Sequence, residues 1–414
     1  MHPFFALFSY LCIVMFLVGI FSLAVLLVVA DCFAYRWYVK PIPHLWVRMI
    51  VVVALVATNI LPYIAASILW FFNTGDMVPM MWILTIYTIL SLSRLSLYAV
   101  ILLFRNYRHK WTLGIALCTI VAMVQMVGVV HTRKALTVRS VEVASMRLPE
   151  GFDGYRIAFF SDLHLGSLTS AEEMCRNIVE SINTLDADLV VFGGDLVNAH
   201  YEELRPEISA ILQGIKARDG VVAVMGNHDT GVYIQDTITL PIEKSTRLLT
   251  ERIEQMGWRV ANDKTGQLLR GNDTITLTGI GFSRELLEHR HSANVADELD
   301  LRHIFESVPN DKFNITLSHM PQLWRKISEL GYGDLVLSGH VHAMQMKLGI
   351  GRWRLSPAQL MYEEWSGLYN EEDSHLYITD GVGSVGFHMR IGAPPEITLL
   401  TLRCKDHYQT ILTR

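Results

Sequence analysis

Five short groups of polar residues recur along the 414-residue chain: Asp162-Leu163-His164, Gly194-Asp195, Gly226-Asn227-His228-Asp229, His319, and Gly339-His340-Val341-His342. Together they hold five of the sixteen histidines. Carboxylates, imidazoles and an amide oxygen form a mixed O/N donor set, which suits Mn, Fe, Zn or a similar divalent ion better than a thiolate or all-oxygen site would. One carboxylate can bridge two cations. Two cations about 3.5 to 4 Å apart can hold a hydroxide and clamp the oxygens of an in-line displacement at phosphorus. Glycines beside these residues permit tight turns and close backbone approach. Polar residues at strand ends also cap helices and turns, so a single such group would mean little; five in series carry weight.

Each group follows a short apolar run. Residues 157–160, 189–192, 221–225, 315–317 and 335–337 read as buried strands. Helices fit between them. One is expected to start at Ser170 with Glu173 completing a capping box. Another is expected to start at Pro321 and stop at Gly331. This alternation, from about Leu136 onward, is the pattern of a mixed α/β domain. In open α/β sheets, ligand sites assemble at the edge where strands end. The chain shows no internal repeat and no low-complexity tract.

The first 130 residues differ in texture. They contain nine charged side chains (Asp31, Arg36, Lys40, Arg48, Asp76, Arg94, Arg105, Arg108, Lys110), and the remainder carries a formal net charge of −10, with 28 basic and 38 acidic residues. A hydrophobic content of 51% and a mean hydropathy of +0.30 are too high for a chain soluble throughout. The acidic polar half argues against nucleic-acid binding. Four spanning helices are predicted, at about 4–30, 49–72, 77–104 and 111–130, each near the roughly 20 residues a bilayer core demands. The first is too long, and lacks the basic flank, for a signal peptide. Arg94 interrupts the third and has no acidic partner within the predicted spans. Pairing with another helix, snorkelling or a polar site in the bundle are its three readings. Domain boundaries are expected at 1–134 for the membrane part and 135–414 for the polar part.

Orientation follows from the basic loops. Arg36, Lys40 and Arg48 flank one turn and Arg105, Arg108 and Lys110 another, so these face the cytoplasm. Four spans then leave the polar half outside the cytoplasm, on a multi-pass protein of the inner (plasma) membrane, although His131, Arg133 and Lys134 lie at that outer edge. Only about five residues separate the last span from the polar half, a reach of roughly 20 Å, which keeps the site near the bilayer. Among the five cysteines, Cys175 and Cys404 match no metal or redox spacing, and no disulfide framework is implied.

With these groups in this order, the sequence resembles the calcineurin-like metallophosphoesterase superfamily. The resemblance covers residues 135–414. It extends to the tail Gly367-Leu-Tyr, Tyr377-Ile-Thr-Asp-Gly381-Val-Gly383, Arg390 and Pro394-Pro-Glu396-Ile397, which looks like the branch of membrane-associated bacterial phosphodiesterases. His388-Met389 departs from that pattern, which calls for a small residue or proline before Arg390. The resemblance implies a calcineurin-like β-sandwich flanked by helices, here preceded by an α-helical transmembrane bundle. It implies two divalent ions (Mn, Fe, Zn or Mg, with Mn favoured). Asp162, His164 and His342 would hold one; Asn227, His319 and His340 the other; Asp195 would bridge them. His228 would contact the phosphoryl group and protonate the leaving oxygen, with Asp229 beside it as orienting partner.

Other residues carry weaker signals. Asn198 and His200 could line the same mouth, with surface loop as the better reading. His289 and His291 belong to a charged, solvated stretch, and His303, His375 and His407 read as structural. Arg390 could meet a substrate phosphate or a fold-stabilising acid. Residues 353–369, rich in Trp, Tyr, Leu and Met, could form a lip for acyl chains or the bilayer surface, or pack beneath the final strands. The expected function is a membrane-anchored two-metal phosphoester hydrolase (phosphodiesterase or phosphatase) with the bilayer as partner, a lipid-linked substrate being one candidate beside phosphodiesters, phospholipid headgroups and nucleotides. UDP-2,3-diacylglucosamine pyrophosphate hydrolysis in lipid A synthesis is the alternative, and a transporter or sensor with a regulatory hydrolase domain a weaker one.

Overall fold

The computed structural model describes residues 22–71, 77–231, 233, 241–282, 286, 299–350 and 353–405. Residues 4–21 of the first predicted span, Asp76, Glu285, His289, His291 and His407 lie outside the described residues. The chain divides into two compact units, Met1–Arg133 with Val385–Ile391, and Lys134–Ser384 with Gly392–Arg414. The segment 385–391, which the sequence reading placed in the polar half, groups with the helices instead.

The first unit contains α1 (Ser22–Val39), α2 (Leu45–Phe71), α3 (Val78–Leu103) and α4 (Lys110–Val130), four helices long and apolar enough to cross a membrane. α1 does not stop before Asp31 as the sequence reading expects; it runs on to Val39. The carboxylate is accommodated because Asn59 Nδ2 donates to its Oδ2 (2.8 Å) and the Tyr98 hydroxyl to its Oδ1 (2.8 Å). Arg94 completes the cluster, with Nη1 3.5 Å from Asp31 Oδ2 and Nη2 donating to Asn59 Oδ1 at 3.1 Å. Arg94 therefore does have an acidic partner, which sits beyond the span limits read from sequence. Where water is absent, polar groups must satisfy one another.

Segment 385–391 is buried in this unit. The His388 amide donates to Thr85 Oγ1 (2.8 Å), its ring lies 4.9 Å from that of Trp82, and the Arg390 amide donates to the Gly128 carbonyl (3.2 Å). A Cβ on Gly128 would press on Arg390 O at 2.9 Å, so glycine is required for this close approach.

The second unit is a β-sandwich. One six-stranded sheet has the order β1 (Thr137–Ser145), β14 (Glu396–Cys404), β2 (Arg156–Phe160), β3 (Leu189–Phe192), β4 (Val221–Ala223), β5 (Arg259–Val260). The other has the order β12 (Gly367–Glu371), β13 (Ser374–Ile378), β9 (Leu335–Ser338), β8 (Asn314–Ser318), β7 (Asp273–Ile280), β6 (Lys264–Arg270). A short hairpin pairs β10 (Leu348–Ile350) with β11 (Trp353–Leu355). The period-2 alternation of strands decides the layers. In β2, Ile157 and Phe159 join the core shared with Leu277, Ile315, Leu317, Leu335 and Leu337 of the facing sheet. Ala158 and Phe160 point the other way, onto α5 (Ala171–Thr184), α6 (Pro206–Leu212) and α7 (Ile242–Gln255). The outer face of the second sheet is covered by α8 (Arg302–Phe305) and α9 (Trp324–Glu329).

The expected strands are all present, with β4 ending at Ala223 rather than 225. α5 does start after Ser170, but its hydroxyl makes no cap hydrogen bond, so the capping box does not form. The helical stretch from Pro321 ends before Gly331, whose φ of +87° closes it.

Candidate metal centre

β2, β3 and β4 are parallel, as are β7, β8 and β9. Their C-terminal ends deliver the five polar groups to one place. Asp162, His164 and His342 bring ligand atoms within 4.8 Å of one another, and so do Asp195, His319 and His340. His164, Asp195 and His228 form a third such group. Asp195 thus belongs to two groups, with its Oδ2 3.1 Å from His319 Nε2 and 3.6 Å from His164 Nε2. Asn227 Oδ1 lies 3.0 Å from His340 Nδ1.

The supporting hydrogen bonds fix which ring nitrogen faces inward. Carbonyl oxygens only accept, so His319 Nδ1 must donate to the Gly193 carbonyl (2.8 Å), which turns Nε2 toward Asp195. Asn198 Nδ2 donates to Ser167 Oγ (2.7 Å), which turns Asn198 Oδ1 toward His164 Nδ1 at 3.0 Å. The Nε2 atoms of His164 and His342 then face each other at 3.2 Å. With its proton on Nδ1, His164 presents Nε2 as an acceptor, and His342 protonated on Nε2 donates to it when no cation is bound. Asp162 Oδ2 and His342 Nδ1 are buried and have no hydrogen-bond partner among the described residues. A buried set of carboxylate and imidazole atoms without a thiolate fits a divalent cation.

The backbone is strained where these side chains leave it. Asp162, His164, Asp195, His340 and His342 all have φ between 47° and 71°, a left-handed conformation that costs a non-glycine residue about 1 to 3 kcal/mol. Gly226 and Gly339 give the loops room, since a Cβ on Gly339 would run into Ser161 Oγ and Asp162 Oδ2.

Burial would raise the carboxyl pKa of Asp162, but His342 and His319 hold it below the usual range. For Asp195, burial is likewise outweighed, here by His319 and His228. Burial would lower His319, yet Asp195 and Asp162 raise it to about 9. Burial pushes His164 and His228 down, so both imidazoles are neutral near pH 7.

His228 is oriented differently from the sequence expectation. Its Nδ1 donates to the Asn198 carbonyl (2.6 Å), and its amide donates to Asp195 Oδ1 (2.9 Å). Asp229 is not its orienting partner. Both Asp229 oxygens are taken up by the backbone N–H groups of Asp195 (2.7 Å), Leu196 (2.8 Å), Val197 (3.1 Å) and Gly226 (2.9 Å), so it ties two ligand loops together. Asn198, read from sequence as surface loop, is buried and supports both His164 and His228. Glu203 was not anticipated; its carboxylate accepts the amides of Gly166, Asn198, Ala199 and His200. Two tyrosines were also missed. Asn227 Nδ2 donates to the Tyr233 hydroxyl (2.9 Å), the Tyr233 ring stacks on His228 at 4.3 Å, and the Tyr362 hydroxyl lies 3.4 Å from His340 Nε2.

The remaining candidates lie away from the cluster. His200 accepts the Glu202 amide and stacks on Tyr201. His303 and His375 are held by Asp300 O and Asn370 Oδ1. Arg390 is wholly buried in the first unit. In the 353–369 stretch, Trp365 is buried and Tyr362 and Tyr369 pack against the second sheet's outer core, while Leu355, Leu360 and Met361 are exposed, Leu360 at 88%.

Comparison with known proteins agrees with this geometry. Residues 155–344 match the family model described as calcineurin-like phosphoesterase. Residues 155–344 of the second unit are therefore similar to a calcineurin-like metallophosphoesterase domain. The chain is 28% identical over 299 residues to a bovine (Bos taurus) transmembrane protein with metallophosphoesterase domain, a match covering 71% of this chain and 64% of that protein. It thus spans just under two thirds of that relative's length. It is also 28% identical over 268 residues to the metallophosphoesterase YkuE of Bacillus subtilis (63% of this chain, 83% of that one). To UDP-2,3-diacylglucosamine pyrophosphatase LpxG of Chlamydia muridarum it is 26% identical over 294 residues (62% and 87%).

Proposed function

We propose that this chain is a membrane-anchored, two-metal phosphoester hydrolase whose polar unit lies outside the cytoplasm on the inner (plasma) membrane. The observation that carries the two-metal reading is that Asp195 is shared between donor groups on either side of it. Asp162, His164 and His342 would hold one cation, and Asn227, His319 and His340 the other. Bound there, divalent cations, with manganese favoured, would polarise the phosphoryl group and make a nucleophile from water at neutral pH. His228 acts on the leaving side. In the substrate-free protein its proton is on Nδ1, held by the Asn198 carbonyl, so Nε2 is left as an acceptor. The negative charge of an arriving phosphoester raises the His228 pKa. The ring then takes up a second proton and gives it from Nε2 to the departing oxygen.

Support for an amphiphilic substrate comes from the exposed Leu348, Leu355, Leu360 and Met361, on the hairpin and strap that follow the His340 and His342 loop. The Chlamydia relative's name favours a second reading, hydrolysis of a UDP-linked diacylglucosamine. The orientation inferred from the basic loops opposes it, because nucleotide-linked precursors are cytoplasmic. The test is a screen of the full chain in nanodiscs with Mn, Fe, Zn or Mg added, using an aryl phosphomonoester, a bis-aryl diester and UDP-diacylglucosamine. Asp195→Ala and His228→Ala are each expected to lower turnover by about a hundredfold or more. Full activity in either variant overturns the assignment.

A further inference from the structure

Resting on the two-metal reading, we infer that Tyr233 and Tyr362 are positioning residues that hold the ligand atoms of one cation position, the one formed by Asn227, His319 and His340. Both tyrosines meet that position's ligands. Asn227 offers a cation only its Oδ1, so the amide must not flip. A flip exchanges an acceptor for an NH2 group that repels cations. The Tyr233 hydroxyl accepts Asn227 Nδ2 at 2.9 Å, which fixes Oδ1 on the side of His340.

Tyr362 solves a different problem. Without a cation, His340 Nδ1 donates to Asn227 Oδ1 (3.0 Å), and Nε2 carries the lone pair that accepts the Tyr362 hydroxyl at 3.4 Å. To serve as a ligand through Nδ1, the ring must move its proton to Nε2. A phenol accepts as readily as it donates, so Tyr362 satisfies Nε2 in both tautomers. A residue that only accepts or only donates would favour one state and penalise the other. Partners behind ligands are typically worth about 10- to 100-fold in metal affinity.

The experiment is Mn2+ titration of the metal-stripped full chain in nanodiscs, followed by calorimetry and by electron paramagnetic resonance, without any substrate. Tyr233→Phe and Tyr362→Phe are the variants. Phenylalanine keeps the ring of Tyr233 stacked on His228 and that of Tyr362 edge-on to His340, and removes only the hydroxyl. The expected result is two Mn2+ per wild-type chain with a spin-coupled signal. In each variant one binding event should weaken by about tenfold or more while the other is unchanged, so that uncoupled Mn2+ persists at low occupancy. Unaltered thermal midpoints of the metal-free variants would separate positioning from folding. Wild-type affinities at both positions in both variants overturn the role of the tyrosines and leave the two-metal reading standing. Fewer than two Mn2+ on the wild-type chain overturns that reading and this inference together.

Discussion

The helical unit and the β-sandwich unit face the same problem, buried polar groups, and handle it at different ranges. In the helices most repairs are local. Thr85, Thr88 and Thr119 hydroxyls donate to carbonyls four residues back (2.6 to 2.9 Å), while the Asp31, Asn59, Arg94 and Tyr98 cluster and the Gln125–Ser93 hydrogen bond (3.3 Å) tie helices together. In the β-sandwich unit, irregular loops leave amides that no helix or strand can pair. There single carboxylates gather them, Asp229 from loops 33 residues or so apart and Glu203 from Gly166, 37 residues away, as well as from Asn198, Ala199 and His200. The contrast teaches that regular backbone is self-sufficient, whereas a site made of loops must be held by side chains that do no chemistry themselves.

The largest expected effect that tests this contrast is at Asp229. Asp229→Ala strips four buried amides of their acceptor, each worth about 1 to 3 kcal/mol when left unsatisfied. A loss of at least about 5 kcal/mol in chemical denaturation is predicted; a loss below about 1 kcal/mol would mean that the loops hold themselves. Next comes the helical cluster. Asp31→Leu or Arg94→Leu alone should cost about 3 kcal/mol in detergent-induced unfolding, because each leaves a buried charge without its partner, and the double variant should cost less than the sum. Strict additivity would show that the two side chains do not depend on each other.

The smallest effect sharpens the comparison on one carboxylate with fewer donors. Asp334 accepts the Asn314 amide (2.9 Å) and faces Arg147 (3.0 Å), and burial still raises its pKa to about 6. A carboxyl whose folded pKa is raised binds its proton more tightly when folded. Its stabilising contribution is therefore complete below the unfolded value near pH 4 and is lost as pH rises through 6. The thermal midpoint of the wild type relative to Asp334→Asn should fall over that window and stay level above it. A flat difference would place the group in the ordinary carboxylate range.

Much of the candidate site was legible because its residues come in pairs directly after short apolar runs, as with Asp162 and His164 behind the β2 residues 157–160. The residues that support them were not. Asn198 carries no mark distinguishing it from a loop asparagine, and its role exists only because Ser167 and His228 lie against it in space. Asp229 sits next to His228 in sequence, which suggested a shared task, yet its carboxylate turns toward the amides of another loop. β1 and β14 pair in parallel across some 250 residues, so no local pattern announces their partnership. Asp31 ended the first predicted span because a lone carboxylate in lipid is costly. The groups that lower the cost come from two other helices.

Segment 385–391 has a practical corollary for anyone wishing to produce the β-sandwich unit as a soluble fragment. A cut at residue 134 would carry along seven residues whose burial is supplied by α3 and α4. His388, Met389 and Arg390, almost wholly enclosed in the intact chain, would be turned out into solvent a few positions after Gly381, which packs on Asp162 and His342. A fragment meant to behave should have that stretch redesigned with small polar residues, or keep its helices.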